Sequence, residues 1–119
     1  MAGETSARTE IASASRVCPH FHAAVELVGK RWSGAILATL TDVGPCRFGE
    51  LNQGVPGLSD RLLSQRLREL EAKGLVERSV TAGAPVRVTY SLTIKGQELD
   101  PALRELGEWG RRWMTGLDD

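Results

Sequence analysis

The sequence predicts a mainly helical α+β fold in one small domain, and three observations lead there. Apolar residues recur at helical spacing along most of the chain, in groups such as Phe21/Ala24/Val25/Val28 and Leu63/Leu67/Leu70. Near the middle of the C-terminal half, two extended runs flank a loop rich in small residues, Thr81-Ala-Gly-Ala-Pro85. At 119 residues the chain has room for a single modest core.

The elements follow in order. Residues Met1–Arg16 are small and polar, and read as a mobile arm or as a short helix that orders only against a partner chain. The folded part is expected over 17–119. Pro19 suits a first helical turn, and Gly29 suits the end of that helix. A second helix is predicted from near Lys30 or Arg31, carrying Trp32, Ile36, Leu37 and Leu40 on one face until Asp42-Val-Gly-Pro45 breaks it. A short extended Cys46-Arg-Phe48 leads into a brief helix over Gly49–Gly54, and Val55-Pro-Gly-Leu58 is a turn. Trp32 and Phe48 are expected in the core.

The segment Ser59–Lys73 carries the clearest signals. Ser59 is a good N-cap, because its hydroxyl can accept from an orphan N–H of the first turn, and Gly74 is a good stop. At about 100° per residue Leu63, Leu67 and Leu70 share one face with Leu62 at its margin, while Arg61, Ser64, Gln65, Arg68 and Ala72 take the opposite one. Strands are predicted over Leu75–Val80 and Val86–Leu92, the second alternating Val86, Val88, Tyr90 and Leu92 with polar residues. Thr93 then caps a last helix running to about Thr115, which Pro101 should kink or restart after Asp100. This order describes a helix-turn-helix core followed by a β-wing.

Composition narrows the function. Hydrophobic residues make up 41% and charged residues 25%, as in ordinary globular proteins. Fifteen basic residues balance 15 acidic ones, which argues against indiscriminate coating of nucleic acid and leaves sequence-specific binding through a local basic face open. No stretch approaches the ~20 apolar residues of a membrane span, and the N-terminus lacks the apolar centre of a secretory signal. Two distant cysteines, Cys18 and Cys46, make neither a disulfide framework nor a zinc ribbon, so a reduced, cytoplasmic protein without cofactor is expected.

Several stretches together resemble the HxlR-type regulators, a branch of the winged-helix group that also holds the MarR-type regulators. They are Cys18-Pro19, Gly-Lys-Arg-Trp32 with Ile36-Leu37, Arg47-Phe-Gly-Glu-Leu51, Gly57-Leu-Ser59 and Leu63-Ser-Gln-Arg-Leu-Arg-Glu-Leu-Glu71. Gly74-Leu-Val-Glu-Arg78, Pro85-Val-Arg-Val-Thr-Tyr90-Ser-Leu-Thr93 and Gly96 complete the set. None is diagnostic alone; their order and spacing carry the likeness over roughly residues 18 to 114. Cys46 and Ala84 fall where that family varies, and the position of Arg47 suggests a structural role. The resemblance implies a transcriptional regulator that binds double-stranded DNA, at an inverted repeat, as a homodimer joined through its first and last helices.

Side-chain chemistry supplies candidates for each part of that role. Planar hydrogen-bonding groups read base edges in the major groove, and Arg61, Gln65 and Arg68 offer them on one helix face, with Ser64 and Ser59 beside them. The competing reading is the solvated side of an ordinary amphipathic helix. Arg66, about 60° from the leucine face, should pack its stem and either pair with an acid or reach a phosphate. Arg87 is the natural hook of the wing on the DNA backbone, or else a cross-strand partner. Lys30 and Arg31, near a helix start, are further phosphate candidates. A single module buries only about 600–1,000 Å² on DNA, so a specific operator calls for two half-sites about 34 Å apart. The apolar residues Leu99, Leu103, Leu106, Trp109, Trp113 and Met114, with Phe21 and Val25, exceed one small core; they suit a dimer interface, core packing being the alternative.

Cys18 stands at a helix start flanked by Arg16, His20 and His22, where positive potential should favour the reactive thiolate. Some HxlR-type proteins use a Cys-Pro cysteine to sense quinones, aldehydes or oxidants, so a small-molecule or electrophile effector is a candidate partner; an inert helix cap is the alternative. Cys18, His20 and His22 lack a further ligand and the right facing for a metal site. No phosphate loop, zincin motif or nucleophile elbow points to an enzyme. The rival to a DNA-binding regulator is a winged-helix module that binds proteins instead.

Overall fold

The computed structural model describes residues 17–117; the arm expected over Met1–Arg16 lies outside them. The chain divides into two compact units, one ending at Arg31 and one beginning at Trp32.

The first unit holds helix α1, Pro19–Gly29. Cys18 is its N-cap in extended conformation and Pro19 takes the first helical position, where a missing N–H costs nothing. No residue of α1 is buried, and Phe21 and Val25 are exposed.

The second unit runs α2 (Ser33–Val43), α3 (Phe48–Gly54), α4 (Asp60–Ala72), β1 (Val76–Thr81), β2 (Arg87–Leu92), α5 (Ile94–Gln97) and α6 (Asp100–Trp113). Its core is aliphatic. Ile36, Leu37 and Leu40 of α2, Leu51 of α3 and Leu63, Leu67 and Leu70 of α4 are all buried, as are Val55, Leu58, Leu75 and Val76 from the turns and the start of β1. Each fully buried leucine of this kind stabilises the fold by about 1.5–3 kcal/mol. The predicted leucine face of α4 is therefore the face that packs, and Leu62 lies half-buried at its margin.

Helix α2 begins at Ser33, later than the sequence suggested. Trp32 intervenes as its N-cap in the left-handed region at φ 78°, a conformation that bulky residues rarely adopt. Neither Trp32 nor Phe48 enters the core; both are half-buried. The indole of Trp32 instead lies over the turn, with Cη2 3.5 Å from where a Cβ on Gly57 would stand.

The two strands pair antiparallel from Val76 opposite Leu92 to Thr81 opposite Arg87, making the wing. The short extended segment expected at Cys46–Phe48 is a single bridge, in which Cys46 and Tyr90 exchange backbone hydrogen bonds at 2.9 and 2.7 Å. Thr93 caps α5 by accepting from the Gly96 N–H at 3.1 Å. The chain then restarts as α6 with Pro101 in its first turn, as Pro101 predicted.

Candidate nucleic-acid interface

Helix α4 is fixed at both ends. The Ser59 hydroxyl accepts from the Leu62 N–H at 3.2 Å, which satisfies one orphan donor of the first turn. At the far end Gly74 turns the chain at φ 78°. There Lys95 Nζ donates to the Lys73 carbonyl at 2.7 Å and Thr93 Oγ1 donates to the Gly74 carbonyl at 2.6 Å. The cation sits where the helix dipole is negative, and two carbonyls past the helix end are satisfied.

The outward face of α4 carries Arg61, Gln65 and Arg68, all exposed. Arg68 donates to the Ser64 hydroxyl at 3.1 Å, so these two side chains act as a linked pair. Arg66 belongs elsewhere: it is 8% exposed and its guanidinium meets Glu69 at 2.9 Å. Of the two roles open to it, the acid has it.

The helix is aimed by the turn before it. Asn52, near the end of α3, donates from Nδ2 to the Leu58 carbonyl at 3.1 Å and to Asp60 Oδ1 at 2.7 Å. That one amide ties α3 to the turn and to the first residue of α4. Sequence reasoning singled out neither Asn52 nor Asp60. The partners lie on opposite sides of a turn, so no periodicity reveals them; an acid right after the N-cap was the only local hint.

Arg87 opens β2 at the wing, exposed, with Thr81 across the ladder rather than an acid. The backbone N–H of Arg47 donates to Glu50 Oε1 at 2.8 Å, helping to start α3. Lys30 is the C-cap of α1 and Arg31 immediately precedes Trp32, the N-cap of α2, so the pair lies in the link between one helix end and the next helix start. Cys18 is exposed, and His22 Nε2 lies 2.9 Å from Glu26 one turn on. Among the described residues no His, Cys, Asp and Glu cluster could hold a metal. Cys46 is buried, donates to the Gly44 carbonyl at 3.3 Å, and has its pKa raised first by burial and then by the nearby Glu50 carboxylate.

The apolar residues of the last helix divide. Leu99 and Leu103 are half-buried, whereas Leu106, Trp109, Trp113 and Met114 are exposed at 53–63%. Four large apolar groups left to water on one short helical segment are more than scattered surface residues explain.

A capped helix packed in a three-helix core, beside a two-stranded wing, defines the winged-helix class of fold. Comparison with known proteins gives the family: residues 27–118 match the HxlR-like helix-turn-helix family, and the chain belongs to it. It is 45% identical over 100 residues to the HTH-type transcriptional regulator YvaP of Bacillus subtilis, covering 84% of this chain and 92% of that one. It is 43% identical over 102 residues to YodB of the same organism, covering 86% and 90%. The structure of reduced YodB superposes with a TM-score of 0.76 at 40% identity, over 86% of this chain and 99% of that one, and YodB structures exist in diamide-treated and quinone-bound forms. The reduced form of the redox regulator HypR superposes with a TM-score of 0.74 at 35% identity, over 79% and 92%. The chain is thus a DNA-binding transcriptional regulator, and no helix among its described residues is long and apolar enough to cross a membrane.

Proposed function

We propose that the protein binds an inverted-repeat operator as a homodimer in the cytoplasm, acting by occupancy of DNA rather than by turnover. The observation that carries this reading is the exposed face of α4, where Arg61, Gln65 and Arg68 stand together while the other arginine of the helix core side, Arg66, is held by Glu69. Arg suits guanine O6 and N7, and Gln suits adenine N6 and N7. Ser64, linked to Arg68, and Ser59 at the helix entry contribute to backbone or base contacts. Arg87 engages the backbone from the wing, and Lys30 and Arg31 add phosphate contacts.

The dimer forms through Phe21 and Val25 of α1 and through α6, whose Leu106, Trp109 and Trp113 are exposed, with Leu99 and Leu103 completing the inner edge. Cys18 is the sensing thiol. Its exposure on α1 supports that role, as do the diamide-treated and quinone-bound forms of the related YodB. The effector class is thiol-reactive: an oxidant or a quinone-like electrophile.

Fluorescence anisotropy with DNA from upstream of the protein's own gene tests this, with a scrambled duplex, a salt series and an Arg61→Ala/Arg68→Ala variant. Tight binding to the native duplex that weakens steeply with salt and is lost in the variant supports the reading. Equal, weak binding to both duplexes, unchanged in the variant, contradicts the assigned readers. Diamide treatment should change the affinity of the native protein and leave Cys18→Ser unaffected.

A further inference from the structure

We infer that Asp60, held in place by Asn52, is a base-discriminating residue that accepts a hydrogen bond from the exocyclic amine of a cytosine in the major groove. The inference rests on α4 being the DNA-reading helix.

Reading helices meet base edges with their N-terminal residues, and Asp60 is the first residue of α4. It is also the acid of that first turn. A carboxylate here favours the helix dipole but opposes a polyanion brought close to it. The cap itself does not need it, because Ser59 already accepts from the Leu62 N–H. Asp60 accepts instead from Asn52, 2.7 Å away across the turn.

Hydrogen-bond accounting shows how firmly it is held. The amide nitrogen of Asn52 has two hydrogens, and the Leu58 carbonyl and Asp60 Oδ1 take one each. The amide cannot swing away without losing both. Asp60 is exposed, and the structure records no partner for Oδ2 among the described residues. A carboxylate fixed through one oxygen thus presents the other at the entry end of the helix.

The groove offers such an acceptor few matches. Guanine presents N7 and O6, both acceptors, which repel a carboxylate. Adenine has a donor at N6 but an acceptor beside it at N7. Cytosine N4 is a donor without that neighbour on its own ring, and pairs with Asp and Glu. Asp60 therefore favours cytosine at one position in each half-site and disfavours DNA that offers no donor there.

The test is selection from a randomised duplex library with the full-length native protein, Asp60→Asn, Asn52→Ala and the double variant. Anisotropy then follows on the enriched duplex and on its single-base changes across a salt series. We expect the native protein to enrich cytosine at one position per half-site. Asp60→Asn should reduce that preference about tenfold while binding unrelated duplexes more tightly. Asn52→Ala should weaken the same preference, and the double variant should match Asp60→Asn alone. If Asn52→Ala fails to fold by circular dichroism, the Asp60→Asn profile decides by itself. An Asp60→Asn variant that enriches the native motif unchanged, or gains equally on every duplex, overturns the inference and leaves the DNA-reading role of α4 standing. A native protein that enriches no sequence overturns both.

Discussion

The carbonyl oxygen of Leu75 lies directly against the Cα of Gly96, so close that a Cβ on residue 96 would overlap it. Leu75 leads into β1 and Gly96 sits in α5, and the same carbonyl also accepts from the Thr93 N–H at 3.1 Å. With Leu92 Cδ2 crowding the site from another side, the backbone has nowhere to yield. Gly96→Ala should therefore cost on the order of 2–3 kcal/mol as overpacking, read as a lower midpoint in urea unfolding. A stability equal to that of the native chain would contradict the close approach.

Two arginines two residues apart should behave as opposites. Arg66 is buried and pairs with the partly exposed Glu69, so Arg66→Ala removes packed side-chain volume together with an ion pair and should lower stability by about 1–3 kcal/mol. Arg68 is exposed, and Arg68→Ala should change stability by less than about 0.5 kcal/mol. On DNA the same variant should lose about 1–3 kcal/mol of binding with relaxed selectivity at one base pair. Unfolding curves and anisotropy on the two variants separate these roles.

The hydroxyl of Ser59 caps the start of α4. Ser59→Ala should destabilise the fold by about 1 kcal/mol, and Ser59→Asp should recover most of it. Thermal or urea denaturation of the three proteins checks the order.

The two thiols should differ sharply in labelling. Cys18 is exposed, whereas burial and the Glu50 carboxylate raise the Cys46 pKa. A maleimide under native conditions should modify one thiol quickly, and the second only after denaturant is added. The raised pKa also fixes a sign. The folded chain holds the Cys46 proton more tightly than the unfolded chain, so this contribution is complete below the ordinary thiol pKa and declines as pH rises through the folded value. Cys46→Ala should flatten the alkaline fall in stability.

The exposed side of α6 predicts self-association. Replacing Leu106 and Trp109 together with lysine should shift sedimentation from dimer toward monomer while the helical circular dichroism signal stays. DNA affinity should fall with it, because one module supplies only half of the contacts. A double variant that sediments as the native protein does would remove α6 from the interface.

Local chemistry made part of this fold legible in advance. Ser59 and Gly74 bounded α4, the leucine repeat gave its packed face, and Pro101 marked the restart between α5 and α6. Other features depend on contacts between distant residues. Trp32 has the apolar character of a core residue, yet its left-handed backbone puts the indole over the turn at Gly57. Helical periodicity assumes a continuous helix and cannot report such a break. Arg66 was ambiguous because its angle on the helix fitted both an acid and a phosphate. The brace from Asn52 to Asp60 was invisible for a related reason: it exists only once the turn has closed.

The wing is built unlike the rest of the molecule. Beyond Val76 no side chain of β1 is buried, and those of β2 are at most half-buried. The base of β2 is tied to the core through the Cys46–Tyr90 bridge, but beyond it the tip is held by the ladder between two strands, which alone is only marginally rigid. Bending that tip leaves the buried Leu75 and Val76 at its base in place. Stringency and tolerance are thereby assigned to different parts of one small chain. With α4 as the proposed reading helix, the helix sets which bases are accepted, while the tip of the hairpin can follow grooves of different width. Operators that vary in their flanks while keeping their central bases then remain within reach of the same protein.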